Sequence, residues 1–325
     1  MKQTTKLLAG LFGLVTLAGP ALAEPVNFTF ATTNGPNDFS SQAVVRWQQA
    51  MKEASNGELN MDFVSGGALG GDQQLLQQLA TNEIQLHVAG PVVVHRLLKD
   101  YQCMEAEFVY ENEDHGYRVW TGDLGNEVSD KLEEQYGITI VGVGLRGARE
   151  LTAMKPIREP SDLEGVKVRV TNPLRSEVFA AYGALPGPLP VSELYGALRQ
   201  GVFEAQENPI PTIWGNKFYE VQKTVNLTGH VISYYVISAN KEFVDSLSDQ
   251  QREIFDKTLA DSIAWLNDKV RNDTDALLEK MKAEGVEIVE PDVPAFRKIA
   301  MPIVQKFAAE NCRPGLLDDI AKAAQ

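Results

Sequence analysis

Arg169 is the residue of this sequence whose type and position best suit the recognition of a carboxylate. The alternation over residues 166–170 predicts a strand whose valines face one side, so that Lys167 and Arg169 face the other. Arg169 stands at the carboxyl end of this strand, where open α/β folds bind their ligands. A guanidinium is planar and always charged, and it fits a carboxylate with two parallel hydrogen bonds. Arg149 precedes a neighbouring extended segment and could converge on the same place; for both arginines, an ordinary surface charge is the competing interpretation.

A glycine motif offers a different chemistry, and the sequence disfavours it. Residues 142–147 have the form G-x-G-x-x-G after a predicted strand, as in dinucleotide-binding folds. Pro156 arrives before a crossover helix could develop, so the context of a nucleotide site is missing. The four histidines have no metal-ligand spacing, and no G-x-S-x-G elbow is present. We therefore expect no catalytic residue, no cofactor and no resident metal; whether a metal ion bridges a ligand stays open.

The N-terminus has the features of an export signal. Lys2 and Lys6 precede an apolar run over residues 7–17, and residues 21–23 read Ala-Leu-Ala. This pattern predicts a signal peptide over residues 1–23, cleaved after Ala23, and places the mature protein in the periplasm. The alternative is a membrane anchor that is kept. No cysteine follows the cleavage site, which argues against a lipid anchor.

The composition limits the classes of molecule that the protein could bind. The 325 residues carry a formal charge of −14, which repels polyphosphates and disfavours nucleic acid as a partner. The two cysteines, Cys103 and Cys312, could form one disulfide in an oxidising compartment or remain separate buried thiols.

The elements that would position Arg169 alternate between strand and helix. Strands are predicted over residues 26–30, 59–64, 84–89, 138–143, 166–170 and 202–206. Helices are predicted between them, among them residues 73–81 and 192–199, the latter with Ser192 as N-cap. This order predicts βαβ units, a largely parallel sheet and two α/β lobes. A long helix is predicted from Ser248 to Gly285, with two shorter helices and a kink at residues 272–273 as the alternative.

Several segments together resemble the periplasmic solute-binding proteins of tripartite ATP-independent periplasmic (TRAP) transporters. The similar segments cover the mature chain in one collinear order: residues 66–72, 162–170, 191–201, 204–209, 217–223 and 227–230. The resemblance implies a two-lobed α/β periplasmic binding protein fold with hinge strands and a long helix spanning both lobes. We place lobe 1 at residues 24–146 plus 235–273, and lobe 2 at residues 147–234 plus 274–325.

The resemblance also assigns the site. It implies that Arg169 is the principal carboxylate ligand, that Arg149 assists it, and that Asn208 reaches the same carboxylate. Glu207 is expected to hold a structural hydrogen bond instead of touching an anion. Further residues predicted to contact the ligand are Asp72, Ala89, Asn172, Val191 and Trp214.

The chain departs from the family at two places that bear on the ligand. Val191 stands where many family members have phenylalanine, and residues 104–108 replace the usual Leu-Pro-Phe. The identity of the carboxylate is therefore not predicted.

The resemblance implies that the chain is a receptor, and not an enzyme. It would capture a small organic carboxylate between its lobes and deliver it to the small and large membrane subunits of the transporter. We expect a monomer. The alternative is an exported enzyme or a sensor-associated ligand-binding module on the same fold.

Overall fold

The computed structural model describes residues 25–324. The predicted signal peptide, residues 1–23, lies outside the described residues. Within the described range, no helix combines the length and apolar composition that crossing a membrane requires.

The described residues form one mixed sheet of nine strands, flanked by helices. The strands are β1 (Val26–Ala31), β2 (Leu59–Val64), β3 (Leu86–Ala89), β4 (Ile138–Ala153), β5 (Lys167–Val170), β6 (Leu185–Pro188), β7 (Ala205–Pro209), β8 (Thr224–Asn240) and β9 (Glu287–Val289). The helices are α1 (Phe39–Ala54), α2 (Asp72–Ala80), α3 (Val92–Leu97), α4 (Glu113–Thr121), α5 (Asp123–Tyr136), α6 (Pro173–Ala181), α7 (Val191–Arg199), α8 (Ile210–Gly215), α9 (Lys241–Ser246), α10 (Asp249–Ala283), α11 (Val293–Asn311) and α12 (Leu316–Lys322).

Two long antiparallel strands join the two halves of the sheet. The strand order is β2-β1-β3-β8-β4-β7-β5-β6, and β9 pairs with β8. β4 and β8 are 16 and 17 residues long and pair from Ile138–Asn240 to Ala153–Thr224. The parallel strands β1, β2 and β3 lie beyond β8, and the parallel strands β5, β6 and β7 lie beyond β4. The predicted α/β fold with hinge strands is confirmed, although the hinge pairing makes the sheet mixed and not largely parallel.

The long helix is continuous. α10 has 35 residues, which at 1.5 Å per residue is about 50 Å. The Ser248 side chain accepts a hydrogen bond from the Gln251 backbone N–H, and the Gln251 side-chain oxygen accepts one from the Ser248 backbone N–H, as predicted for the N-cap. The helix packs against α1 and β4 and, further along, against α8 and β9, so the alternative with a kink at residues 272–273 is not observed.

The glycines of the G-x-G-x-x-G motif lie inside β4, where they let α10 approach the strand. A Cβ on Gly142 would lie 2.6 Å from Ile263 Cδ1, and a Cβ on Gly144 would lie 2.8 Å from Leu266 Cδ2. No helix begins at these glycines, because the chain continues extended to Ala153. The motif therefore serves helix–sheet packing.

Several predicted boundaries are wrong; the strand predicted over residues 84–89, for example, begins only at Leu86. The strand predicted over residues 202–206 begins only at Ala205, because Gly201, with φ of 71°, turns the chain after α7 and residues 202–204 complete the turn. Ser192 does not cap α7, since the helix begins one residue earlier, after Pro190, and has no side-chain cap.

Cys103 and Cys312 form a disulfide with a Cα–Cα distance of 6.3 Å. It ties a short 3₁₀ helix over residues 99–105 to the end of α11. The C-terminal segment then continues along the same side, where Ile320 O of α12 lies 2.7 Å from His115 Nε2 of α4. α11 also packs against α6. The segment thus contacts elements from both sides of the hinge strands, and the lobe boundaries stay a prediction.

Candidate functional site

The loops that follow the parallel strands of the two lobes meet beside the hinge strands. The loop after β2 lies against the start of α7: a Cβ on Gly67 would be 3.4 Å from the Cβ of Ser192. The carboxyl ends of β5 and β7 open toward the same region. Because carboxyl-end loops border the ligand crevice in α/β sheets, this meeting place is the candidate site.

Arg169 is buried at the carboxyl end of β5, with 5% of its surface exposed. Its Nε and Nη2 both donate to the backbone oxygen of Leu189, at 2.8 and 2.6 Å. Among residues 25–324, no carboxylate oxygen lies within 4 Å of its guanidinium. Burial lowers the pKa of Arg169 to about 10, although nearby Glu207 opposes the shift. Arg169 is therefore charged at neutral pH and forms no ion pair with any of the described residues.

Arg149 is equally buried, but Glu207 and Asn208 already hold it. Its Nε donates to the Glu207 carboxylate, and its Nη2 donates to Glu207 O at 2.6 Å and to Asn208 Oδ1 at 3.2 Å. Burial lowers the pKa of Arg149, and the charge of Glu207 works against that shift. Much of the hydrogen-bonding capacity of Arg149 is thus used within the protein.

Glu207 is fully buried and lies at the centre of a cluster of charged groups. Besides Arg149, its carboxylate lies 3.7 Å from Arg175 Nη1 and 3.3 Å from His230 Nε2. Burial alone would raise the pKa of Glu207, but Arg149 and Arg175 hold it well below its usual range. Burial also lowers the pKa of His230, which favours the neutral imidazole. Glu207 is bound on all these sides by protein groups, as expected from the sequence.

Sequence reasoning missed a further part of this cluster, formed by Arg175, Glu105 and Glu107. Arg175 Nε donates to Glu107 Oε1 at 3.1 Å, and its Nη2 lies 3.8 Å from Glu105 Oε2. Arg175 Nη1 also donates to Thr171 Oγ1 at 2.6 Å. The available signal was the unusual segment 104–108, whose two glutamates are buried here. Their countercharge comes from a helix about 70 residues further along, which no local pattern reveals.

The structure brings two of the predicted site residues into direct contact. Asn208 joins Arg149 directly, and its Nδ2 donates to Gln206 Oε1 at 2.6 Å. Burial lowers the pKa of both Arg149 and Arg169, and the negative charge of Glu207 opposes that shift in each. Asp72, at the start of α2, has a smaller effect of the same sign on the pKa of Arg169, and its carboxylate accepts a hydrogen bond from Thr33 at 2.8 Å. Its pKa is lowered although burial opposes this, because His87 stands 3.6 Å away.

The remaining predicted residues have other surroundings. Asn172 caps α6 by accepting from the Arg175 amide at 2.8 Å. Ala89 is buried at the end of β3, and Val191 is half-buried at the start of α7. The Trp214 ring stacks on Tyr219 with centroids 4.7 Å apart, and the Lys280 ammonium lies 5.7 Å from the Trp214 centroid. Trp214 is thus held by Tyr219, which follows α8, and by Lys280 of α10.

Two surface cavities are lined by residues other than these arginines. One, of about 450 Å³, is lined by α2, α3 and Tyr136, and the other, of about 750 Å³, by α1 and Trp265. Neither is lined by Arg169 or Arg149. Among the described residues, no group of three or more His, Cys, Asp or Glu side chains is placed to hold a metal ion.

Comparison with known proteins finds matches that cover nearly the whole chain. Residues 30–311 match the family model described as bacterial extracellular solute-binding protein, family 7. The sialic acid-binding periplasmic protein of Vibrio cholerae is 26% identical over 315 residues, covering 97% of this chain and 98% of that one. The C4-dicarboxylate-binding periplasmic protein of Rhodobacter capsulatus is 26% identical over 319 residues, covering 94% of each.

A solved structure extends the similarity to three dimensions. The sugar acid binding protein of Advenella mimigardefordensis, in complex with galactonate, superposes with a TM-score of 0.86 at 27% identity. The match covers 92% of this chain and 99% of that one.

Proposed function

Because the chain belongs to family 7 of the bacterial extracellular solute-binding proteins, we propose that it captures a small organic carboxylate between its two lobes. Arg169 is the principal ligand of the carboxylate in this proposal, and Arg149 and Asn208 assist it. The similar proteins bind sialic acid, C4-dicarboxylates and galactonate, and all three of these ligands carry a carboxylate.

The observation that carries the proposal is the environment of Arg169. A buried charge without an ionic partner is costly, and among residues 25–324 the guanidinium has a single backbone oxygen as its acceptor. A ligand carboxylate would supply both the opposite charge and the second acceptor that a planar guanidinium can bind. Arg149 would contribute less, because Glu207 already neutralises it.

Capture in this proposal is a hinge movement. β4 and β8 connect the lobes, and bending these two strands would separate the loop at Gly67 from the start of α7. Closure would exclude water from the ion pair at Arg169 and so strengthen it. The ligand leaves unchanged, since the proposal assigns no group a catalytic role.

The partners and the location follow from the family and stay part of the proposal. The mature protein would act in the periplasm as a monomer and deliver its ligand to the membrane subunits of a TRAP transporter. Nucleic acid is not proposed as a partner, because the chain carries a formal charge of −14.

A screen of organic acids by thermal shift tests the proposal. We expect at least one carboxylate to raise the melting temperature, and titration calorimetry should then give one site per chain. Mass spectrometry of the ligand after incubation should show no conversion. If no acid stabilises the protein, or if the bound acid is chemically altered, the proposal is wrong.

A further inference from the structure

Arg146, on hinge strand β4, is a buried arginine whose hydrogen-bonding capacity is mostly unused. It is 7% exposed, and its Nη2 donates to Thr212 Oγ1 at 3.1 Å. Its Nε has no hydrogen-bond partner among residues 25–324, and within that range no carboxylate oxygen lies within 4 Å of the guanidinium. A guanidinium carries five N–H donors, so most of them are left for a group that is not part of the chain.

The contacts that Arg146 does make fix its position without using those donors. The Thr212 hydroxyl donates a hydrogen bond to Asp38 Oδ2 at 3.0 Å, and the Tyr235 hydroxyl donates one to Asp38 Oδ1 at 2.6 Å. The Arg146 guanidinium lies over the Tyr235 ring, 5.2 Å from its centroid. Asp38 is therefore satisfied by hydroxyl groups, and the arginine is held by stacking and by one hydrogen bond.

Arg146 also sits at an irregularity of the sheet. The pairing of β4 with β8 shifts register between Leu145 and Gly147, which leaves Arg146 as the extra residue of a β-bulge. Gly147 follows with φ of 95°, a conformation that favours glycine. Bulges re-aim side chains and occur next to functional sites.

The groups around Arg146 belong to loops that border the candidate site. Gly90 directly follows β3, and a Cβ there would lie 2.5 Å from Arg146 Nη1. Asp38 lies in the loop after β1, and Thr212 lies on α8, which follows β7. Arg146 is three residues from Arg149 on the same strand, a distance of about 10 Å along the strand. The guanidinium thus lies beside the residue that follows β3 and is linked through Thr212 to the loop after β1.

We infer that Arg146 binds an oxygen atom of the ligand at the end remote from the carboxylate held by Arg169. The inference rests on the proposed function and adds the chemical class of ligand: an acid that carries a second carboxylate or hydroxyl groups. Both are acceptors for N–H groups, which is the chemistry that the free donors of Arg146 recognise. A simple alkanoate would leave these donors buried without a partner, so the site would reject it.

Two pairs of acids test the role of Arg146: succinate against butyrate, and galactonate against hexanoate. The two members of each pair have the same number of carbon atoms. The measured quantity is the ratio of dissociation constants within each pair, from titration calorimetry or competition. For the wild type, we expect a preference of at least tenfold for the oxygenated member of at least one pair. Arg146→Met should reduce this preference about tenfold to a hundredfold, the effect of a charged hydrogen bond, and leave the alkanoate within about threefold.

Gly90→Ala is the second variant. Its Cβ would push the guanidinium aside while keeping the charge, and Gly90 does not have a positive φ that would strain alanine. It should lower the same preference with little change in melting temperature. Arg46→Met makes the same chemical change at an exposed arginine of α1 and should leave the preference unchanged.

The outcomes separate this inference from the proposed function. A wild type without preference in either pair overturns the inference. The inference is also overturned if Arg146→Met lowers the melting temperature and weakens the binding of both members of each pair by the same factor. Arg146 would then have a purely structural role. The proposed function fails separately, if no acid binds or if binding does not depend on Arg169.

Discussion

Arg149 and Glu207 form a buried ion pair in which the glutamate binds the arginine with both its side chain and its backbone oxygen. Neither residue is more than 2% exposed. The only acceptor that the described part of the chain offers Arg169, on β5, is the backbone oxygen of Leu189. Two arginines that sequence reasoning assigns to one ligand therefore differ in kind: the charge of Arg149 is already neutralised, and the charge of Arg169 is available.

This difference predicts unequal effects on ligand binding. Arg169→Ala should weaken binding of the best acid from the screen by about 3–5 kcal/mol, because it removes the ionic partner of an enclosed carboxylate. That is roughly a hundredfold to several thousandfold in dissociation constant. Arg149→Ala should weaken binding less. Arg169→Lys should also bind poorly, since an ammonium cannot reproduce the planar fork. Titration calorimetry of each variant provides the measurement.

Melting curves serve as the control for these variants. Arg169→Ala should melt close to the wild type, because the side chain makes no ion pair within the described residues. If the variant binds within about threefold of wild type, the carboxylate is held elsewhere and the site assignment is wrong.

Glu207 should matter for stability more than for selectivity. Glu207→Gln leaves Arg149 and Arg175 buried beside a neutral amide, which should lower the free energy of unfolding by about 3–5 kcal/mol. Urea denaturation at pH 7 measures it. Glu107→Gln is the matched control, because Glu107 pairs with Arg175 alone and should cost less. Equal losses in the two variants would show that Glu207 is not the centre of the cluster.

Local patterns predicted much of this architecture. The alternation at Arg169 and the apolar spacing of α10, with Ser248 as its cap, depend on neighbours within a few residues, and both are present in the structure. The Glu105–Glu107–Arg175 cluster and the disulfide join residues about 70 and 209 apart, and no local pattern links them. The position of Arg146 likewise depends on a β-bulge in the pairing of β4 with β8. The sequence of β4 alone does not reveal this bulge.

The glycines of β4 show why a motif can mislead. Gly144 fits a nucleotide-binding pattern, yet its role is to admit Leu266 of α10. Gly144→Val should overpack this contact and lower the free energy of unfolding by about 1–3 kcal/mol. Gly196→Val is the control, because a Cβ at Gly196 meets nothing within 4 Å; its change should stay within about 0.5 kcal/mol. Urea denaturation of both variants decides, and similar stabilities would contradict the packing role.

Glu150 gives a prediction about pH. This buried residue lies in β4 opposite Asn208 of β7, and its Oε2 accepts a hydrogen bond from the Gly229 amide at 2.7 Å. Burial raises its pKa to about 8, although the hydrogen bond from Gly229 opposes the shift. The folded protein therefore keeps the proton up to about pH 8, whereas the unfolded chain releases it near 4.5. Stability contributed by this group is present at low pH and is lost as pH rises between those two values.

The loss is measurable by comparing Glu150→Gln with wild type at pH 5 and pH 8.5. Glutamine cannot ionise and can still accept from Gly229, so it mimics the protonated acid. At about 1.4 kcal/mol per pKa unit, the wild type should lose roughly 3–5 kcal/mol more than the variant over this range. Glu207 does not disturb the comparison, because its pKa in the folded protein lies below 4.5. Its carboxylate is therefore ionised above pH 5 in both the folded and the unfolded protein. Parallel pH dependence of the two proteins, measured by urea denaturation, would show that Glu150 is ionised in the folded state.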